Sequence, residues 1–148
     1  MSNPKNTHAT IHYAGNEYFI GVPPSGHAIP IDVSSERSSA SGPLELLLVA
    51  LGGCTGTDVI SVLHKKRQQV TDYRIEVRGE RRDEYPKSFK RVEVRHILRG
   101  RGISEEAVAK AIDISITKYC SVAATLRPTV EIVTSFEIHE DEAAPAQP

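Results

Sequence analysis

GPLELLLVALGGCTGTDVISVL, residues 42–63, has the composition of a buried helix. Gly42 suits a helix cap, Pro43 suits the first helical position, and Glu45 falls in the first turn, where the helix dipole favours a carboxylate. The leucine-rich run that follows is apolar on every side, and polar residues return only at His64. We therefore expect a central helix of about 25 residues, ~37 Å long, that is buried all round.

Strand and helix patterns on both sides of this helix complete an α+β chain. Three short strands are expected before it, and the first two form a hairpin around Gly15-Asn16. Two strands with alternating apolar residues follow it, and then a second helix capped by Ser104. That helix ends at Cys120, and a last strand follows Pro128. The order βββ-α-ββ-α-β predicts a long central helix packed on antiparallel sheets.

Finer features are also predicted in the second half of the chain. The apolar pattern of the fifth strand slips by one residue near Lys90, and Gly100 and Gly102 are expected to break that strand. The second helix carries an apolar stripe, which indicates the face that packs on the sheet. The stripe consists of Val108, Ile112, Ile116 and Tyr119.

Length and composition predict one soluble domain. The chain has 148 residues, of which 39% are hydrophobic and 25% charged, as in an ordinary globular protein. We expect a flexible N-terminus at 1–7, a domain at 8–139 and a disordered acidic tail at 140–148. The formal net charge of -1 gives no electrostatic reason for nucleic-acid binding. No segment is expected to span a membrane, and the polar N-terminus lacks a signal peptide, which predicts a cytoplasmic protein.

Cys54 stands among small residues within the long helix, although a glycine inside a helix costs about 1 kcal/mol relative to alanine. Either a neighbouring element approaches the backbone closely at Gly52, Gly53 and Gly56, or these glycines give access to the sulfur. A lone cysteine on an apolar helix generally serves packing. Cys120 adds a second thiol, and a fold that stacks both helices would bring an attacking and a resolving cysteine together. A permanent disulfide is not expected in a reducing cytosol.

Two other kinds of site fit the sequence less well. No close cysteine pair exists and His64 does not share the helix face of Cys54, so no metal site is predicted. Residues 52–56 match a G-x-C-x-G form of the hydrolase nucleophile elbow, but that motif needs a strand where this chain predicts a helix. The remaining histidines are expected to have ordinary strand or loop roles; they include His12, His27, His96 and His139.

The helix motif GPLELLLVALGGCTGTDVISVL, together with KYCSVAATL near residue 120, resembles the OsmC/Ohr family of osmotically inducible and organic-hydroperoxide-resistance proteins. The likeness is greatest to its YhfA-like branch and covers residues 8–139. It implies an intertwined homodimer whose two long helices pack centrally. The glycines would then let substrate and the partner chain approach Cys54.

The resemblance also implies a thiol peroxidase. Cys54 would attack a small organic hydroperoxide and become a sulfenic acid, and Cys120 would condense with it to a disulfide. A dithiol reductant, such as a lipoyl group or a small thiol, would restore the pair without a metal, flavin or other cofactor. The alternative is a non-enzymatic scaffold of the same fold that binds small hydrophobic ligands.

Family peroxidases ionise their cysteine with an arginine from the N-terminal strands and a glutamate near the start of the long helix. Residues 8–33 contain no arginine, so Arg37 is the candidate cation, with Arg127 as second choice. Glu45 is the candidate glutamate, although it is displaced by one position. Asp58, one turn beyond Cys54, would oppose ionisation if it faced the sulfur.

Overall fold

The structure is a computed structural model and describes residues 6–142. The chain divides between Leu47 and Leu48 into two compact units, and the long helix begins in one and continues in the other. The last residues of the expected tail, 143–148, lie outside the described part. Each unit is described by itself below.

The N-terminal unit contains a three-stranded antiparallel sheet. Its strands are β1 (Thr10–Tyr13), β2 (Tyr18–Val22) and β3 (Ile29–Asp32), in the order β1-β2-β3. Gly15 (φ 90°) and Asn16 (φ 49°) form the turn between the first two strands in the left-handed region, which glycine and asparagine tolerate best. The three strands and their hairpin are therefore confirmed.

The long helix α1 spans Pro43–Lys65. The backbone N–H of Gly42 donates to Oε2 of Glu45 at 3.0 Å, so the predicted cap and first turn are confirmed. Burial on every side was wrong for the described chain, because Val49 is 67% exposed. The buried residues recur about once per turn and follow one face: Leu51, Gly52, Thr55, Val59 and Leu63.

The C-terminal unit is built on a second three-stranded sheet. Its strands are β4 (Gln69–Arg81), β5 (Phe89–Arg101) and β6 (Glu131–Glu140), in the order β4-β5-β6. β4 and β5 are antiparallel, but β5 and β6 are parallel, so the all-antiparallel expectation was wrong. The reason is the helical connection between β5 and β6, which is long enough to return the chain in the same direction.

The register and extent of β5 confirm one fine prediction and correct another. Arg81 pairs with Phe89 and Glu80 with Arg91, so the slip falls at Lys90. Gly100 does not break the strand, which continues to Arg101. A side chain at Gly100 would collide with the carbonyl oxygen of Gln69, so this glycine serves a close strand approach.

The predicted acidic tail begins within ordered structure. Glu140 is the last residue of β6, and Asp141 donates its N–H to the carbonyl of Gly100 at 2.8 Å. The Asp141 carboxylate also accepts a hydrogen bond from Thr71 at 2.7 Å. Disorder from residue 140 onward was therefore wrong for these first positions.

Helices cover one face of the second sheet. Ser104 caps α2 (Glu105–Ile114) by accepting the N–H of Ala107, as predicted. One π-helical turn (Ser115–Tyr119) follows, and then a short helix α3 (Ser121–Leu126) that the sequence did not predict. α1, β5 and α2 share an apolar core, which comprises Val59, Leu63, Leu98, Ile103, Ala107, Val108, Ala111 and Ile112.

The predicted stripe on the second helix holds only in part. Val108 and Ile112 are buried and Ile116 packs against the core, but Tyr119 is 55% exposed. The stripe assumed 3.6 residues per turn, whereas the wider turn at residues 115–119 rotates Tyr119 away from the sheet.

Candidate active site

The two cysteines of the chain come together between α1 and the end of the π-helical turn. Cys54 lies in the middle of α1, and Cys120 lies between the π-helical turn and α3. The two sulfur atoms and a carboxylate oxygen of Asp58 all lie within 4.8 Å of one another. The prediction that the fold brings the two thiols together is confirmed.

Cys120 has an extended backbone (φ −72°, ψ 102°) that ends one helical segment and begins the next. Its N–H donates to the carbonyl of Ser115 at 2.7 Å, and its Sγ accepts the N–H of Ala123 at 3.4 Å. The sulfur therefore caps α3 in the way that a serine oxygen caps a helix. These contacts fix the sulfur on the side of α1.

The two thiols differ in exposure. Cys120 is buried, whereas Cys54 is partly exposed. The pKa of Cys120 is raised to about 11, mainly by burial; the Ala123 N–H opposes this rise, and the neighbouring Cys54 and Asp58 add to it. Asp58 thus opposes ionisation of the Cys120 thiol, whereas its predicted effect on Cys54 stays a prediction. Cys120 is a thiol at neutral pH, so Cys54 is the better placed of the two to react first.

A buried hydrogen-bond chain holds Asp58 in place. Ser115 Oγ donates to Asp58 Oδ2 at 2.9 Å, and Thr55 Oγ1 lies 2.9 Å from the same Ser115 oxygen. Since the only hydroxyl proton of Ser115 goes to the carboxylate, Thr55 is the donor to Ser115. Thr55 and Ser115 are both fully buried. The chain joins α1 to the π-helical turn directly beside the cysteines.

The glycines near Cys54 serve mainly helix–sheet packing. A Cβ atom at Gly52 would lie 3.1 Å from Val77 Cγ2, and one at Gly56 would lie 2.6 Å from Ile75 Cδ1. Both side chains belong to β4, so close approach of the helix to the sheet explains these two glycines. For Gly52 and Gly56 the first predicted alternative, close approach of a neighbouring element, is therefore confirmed. Gly53 has open space around it.

A cavity of about 700 Å³ opens beside this cluster, with Asp58 in its wall. It lies between the second half of α1 and the end of α2, and three lysines line it: Lys65, Lys110 and Lys118. None of the three forms an ion pair with another residue in the described range 6–142. The cavity reaches Asp58, whose carboxylate lies within 4.8 Å of both sulfurs, but neither cysteine is part of its wall.

Arg37 is tied down within the N-terminal unit. Its Nε donates to Asp32 Oδ2 at 2.8 Å and its Nη2 to Asp32 Oδ1 at 2.9 Å, while Nη2 also reaches the carbonyl of Asn16 at 2.8 Å. This paired geometry raises the pKa of Arg37 and holds the pKa of Asp32 well below its usual range. The Arg37 guanidinium also lies over the ring of Tyr18. Its role toward Cys54 stays a prediction.

The other two candidates also have local positions. Glu45 caps the start of α1 through Gly42, and its role as the family glutamate stays a prediction. Arg127 is exposed at the end of α3.

Sequence reasoning missed Ser115 and Thr55 as members of the site. Thr55 follows Cys54 directly, but a single threonine in a helix carries no distinctive signal. Ser115 was missed because the π-helical turn that faces it toward Asp58 has no sequence signature of its own. The spacing of Cys54 and Asp58 along α1 was the one usable signal.

The family profile of OsmC-like proteins matches residues 36–135. The chain therefore belongs to the OsmC-like family. Protein YhfA from Escherichia coli K12 is 42% identical over 120 residues, which cover 81% of this chain and 89% of that protein. The predicted membership of the family and the likeness to YhfA are confirmed.

Solved structures share the fold. A hypothetical protein from Aquifex aeolicus VF5 is 30% identical, with a TM-score of 0.83 over 94% of this chain and 100% of its own. The organic hydroperoxide resistance protein OhrB of Bacillus subtilis is 15% identical, with a TM-score of 0.62 over 89% of this chain and 98% of its own. The second likeness concerns the fold alone.

Family membership also settles the nature of α1. Contrary to expectation, this helix is long and apolar enough to cross a membrane by length and composition. In the OsmC-like fold it is the core helix of a soluble protein. Its apolar character therefore reflects packing within the fold.

Proposed function

We propose that this protein is a thiol peroxidase that reduces small organic hydroperoxides through Cys54 and Cys120. The observation that carries the proposal is the meeting of the two sulfurs within 4.8 Å, with Cys54 partly exposed and Cys120 buried. A disulfide needs an S–S distance of about 2.05 Å, so the two sulfurs must close from their separation within 4.8 Å. The fold is shared with named hydroperoxide resistance proteins.

In the first step, the Cys54 thiolate attacks the O–O bond. The sulfur gains an OH group and is oxidised to a sulfenic acid, and the substrate leaves as an alcohol after taking up a proton. In the second step, the Cys120 sulfur attacks the Cys54 sulfur, and the hydroxyl leaves as water with the Cys120 proton. A dithiol then reduces the disulfide and is itself oxidised.

Turnover of tert-butyl hydroperoxide with reduced lipoamide or dithiothreitol tests this function. We expect Cys54→Ser to abolish turnover. Cys120→Ser would leave a sulfenic acid that accumulates and reacts with dimedone. Ser121→Ala, an exposed neighbour of Cys120, is the matched control and keeps wild-type turnover. Equal rates for wild type and Cys54→Ser would refute the proposal.

We also propose that the protein is a homodimer. Val49 on α1 is 67% exposed, and it lines an open apolar cavity of about 470 Å³ with Leu48, Gly52, Gly53 and residues of β4. A large exposed apolar surface on a central helix is typical of an interface. Val49→Asp should convert the dimer to a monomer in sedimentation experiments, and Glu106→Lys on α2 should not. A wild-type monomer at micromolar concentration would contradict the proposal.

The proposed dithiol chemistry also suits a reducing cytoplasm, because both cysteines must return to the thiol form.

A binding function without turnover is the second candidate. The cavity of about 700 Å³ beside Asp58 lies within the ~300–1,000 Å³ range of small-molecule sites. Native mass spectrometry of the purified protein would reveal a retained ligand. A peroxidase-inactive protein that carries such a ligand would favour this function.

A further inference from the structure

We propose that the reduced protein binds one thiophilic divalent metal ion, of the zinc type, through Cys54, Asp58 and Cys120. The three ligand atoms lie within 4.8 Å of one another. Short-range spacing does not reveal this site, because its ligands come from α1 and from a segment that is distant from it along the chain. The inference does not depend on peroxidase activity.

The distances suit the metal after a small adjustment. Zinc binds sulfur at ~2.3 Å and carboxylate oxygen at ~2.0–2.2 Å, so two sulfurs on one tetrahedral ion lie roughly 3.8 Å apart. Each pair of ligand atoms must therefore close by about 1 Å at most from the upper limit of 4.8 Å.

Asp58 already has a hydrogen-bond partner of the kind that orients a metal ligand. Ser115 Oγ donates to its Oδ2 at 2.9 Å, and Thr55 fixes the serine hydroxyl from behind. Such contacts orient ligating side chains and strengthen metal binding. The carboxylate keeps further acceptor positions for the ion. This is the arrangement expected of a supported carboxylate ligand.

The site also has an entrance and an open coordination position. Asp58 lies in the wall of the cavity of about 700 Å³, so its carboxylate is accessible to an aqueous ion. Three protein ligands leave the fourth position to water, as in catalytic zinc sites. Two thiolates and one carboxylate favour zinc, cobalt or cadmium over magnesium and calcium.

Metal binding and the proposed redox cycle use the same sulfurs. Oxidation of both thiolates to a disulfide by a hydroperoxide takes two electrons from the sulfurs and, with two protons, gives an alcohol and water. Both anionic sulfur ligands are lost in that step, so the ion is released. This release rests on the proposed peroxidase function, whereas binding by the reduced form does not.

Cobalt(II) titration of the reduced, metal-free protein tests the site. We expect one cobalt per chain, with a sulfur-to-cobalt charge-transfer band in the near ultraviolet that zinc abolishes by displacement. Cys54→Ser and Cys120→Ser should each weaken that band and the affinity. Asp58→Asn should lower the affinity at least tenfold, and Ser115→Ala about tenfold, as for outer partners of other metal ligands.

Asp113→Asn is the matched control, because Asp113 lines the same cavity outside the three-residue cluster. It should bind cobalt as the wild type does. Circular dichroism confirms that each variant is folded. A wild type without the charge-transfer band, or an affinity unchanged in Asp58→Asn, would overturn the inference. Peroxide turnover measured separately in chelator reports on the proposed function alone.

Discussion

Cys120 Sγ lies within 4.8 Å of a carboxylate oxygen of Asp58, although the two residues belong to different helices. A negative charge at this distance disfavours the thiolate, and burial of the sulfur disfavours it more. The site thus keeps one sulfur protonated while the other is accessible. This asymmetry is what the proposed roles of an attacking and a resolving cysteine require.

Removal of the Asp58 charge should ease ionisation of Cys120. In a Cys54→Ser background, Asp58→Asn is expected to lower the pKa of Cys120 below about 11 but to leave it above the ordinary value of 9.0, because burial remains the larger cause. The thiolate absorbance measured against pH reports this shift. Asp113→Asn in the same background should leave the titration unchanged. An unaltered titration in Asp58→Asn would show that the carboxylate does not influence the sulfur.

Loss of the Ser115 hydroxyl should destabilise the protein. Ser115→Ala leaves the buried Thr55 hydroxyl without its acceptor, and the free energy of unfolding should fall by about 1–3 kcal/mol. Adding Thr55→Val should recover part of this loss, because the unpaired hydroxyl is removed. Urea unfolding of the two single variants and the double variant measures the coupling. Strictly additive effects would argue against a direct Thr55–Ser115 bond.

His96 should make stability depend on pH. It is fully buried beside Tyr73, whose hydroxyl lies 2.6 Å from Nδ1, and burial lowers its pKa from 6.5 to about 4. The folded state then binds fewer protons than the unfolded state between these values. The contribution of His96 to the free energy of unfolding is therefore fully present above pH 6.5. It is lost as the pH drops toward 4, by about 3 kcal/mol in total.

Urea midpoints between pH 7.5 and 4 test the His96 contribution. His96→Gln is the matched variant, because it has no titrating ring and should lose this part of the pH dependence. The titration of carboxylates changes the stability of the wild type and of His96→Gln equally, so it does not affect the comparison. If the two midpoints fall in parallel, His96 is not the cause.

Arg37 should contribute to peroxide reduction if it acts as the cation for Cys54. Arg37→Ala is then expected to lower kcat/KM about tenfold, the effect of one pKa unit on a small thiolate population, whereas Arg37→Lys keeps most of the activity. Asp32→Asn removes the carboxylate partner and keeps the guanidinium. Wild-type activity in Arg37→Ala would leave Arg37 with only its contacts to Asp32 and Asn16.

Local sequence patterns predicted the elements well where one physical signal dominated. The cap at Gly42 and Glu45 located the start of α1, and the alternation in β5 located even the slip at Lys90. The direction of β6 was missed, because a pattern of apolar residues does not report whether a strand runs parallel to its neighbour. The exposed side of α1 was missed for a similar reason, since composition does not say which chain covers a helix.

The two sulfurs of the candidate site were predicted from the sequence, but the hydroxyl group that holds Asp58 in place was missed. The chain has two cysteines, the family resemblance implied that they act together, and the structure brings them together. Ser115 contributes through a hydroxyl whose position depends on a wide helical turn, and serine is too common for its sequence position to be informative. The glycines were ambiguous because β4 packing and ligand access both require small residues.

The π-helical turn at Ser115–Tyr119 makes the site sensitive to the number of residues in this segment. Deleting one residue there would restore an ordinary helix and rotate everything beyond it by roughly 100° about the helix axis. Cys120 would then point away from Cys54, although both cysteines would still be present in the chain. Relatives with both cysteines but a shorter segment at this point are therefore expected to lack the dithiol chemistry.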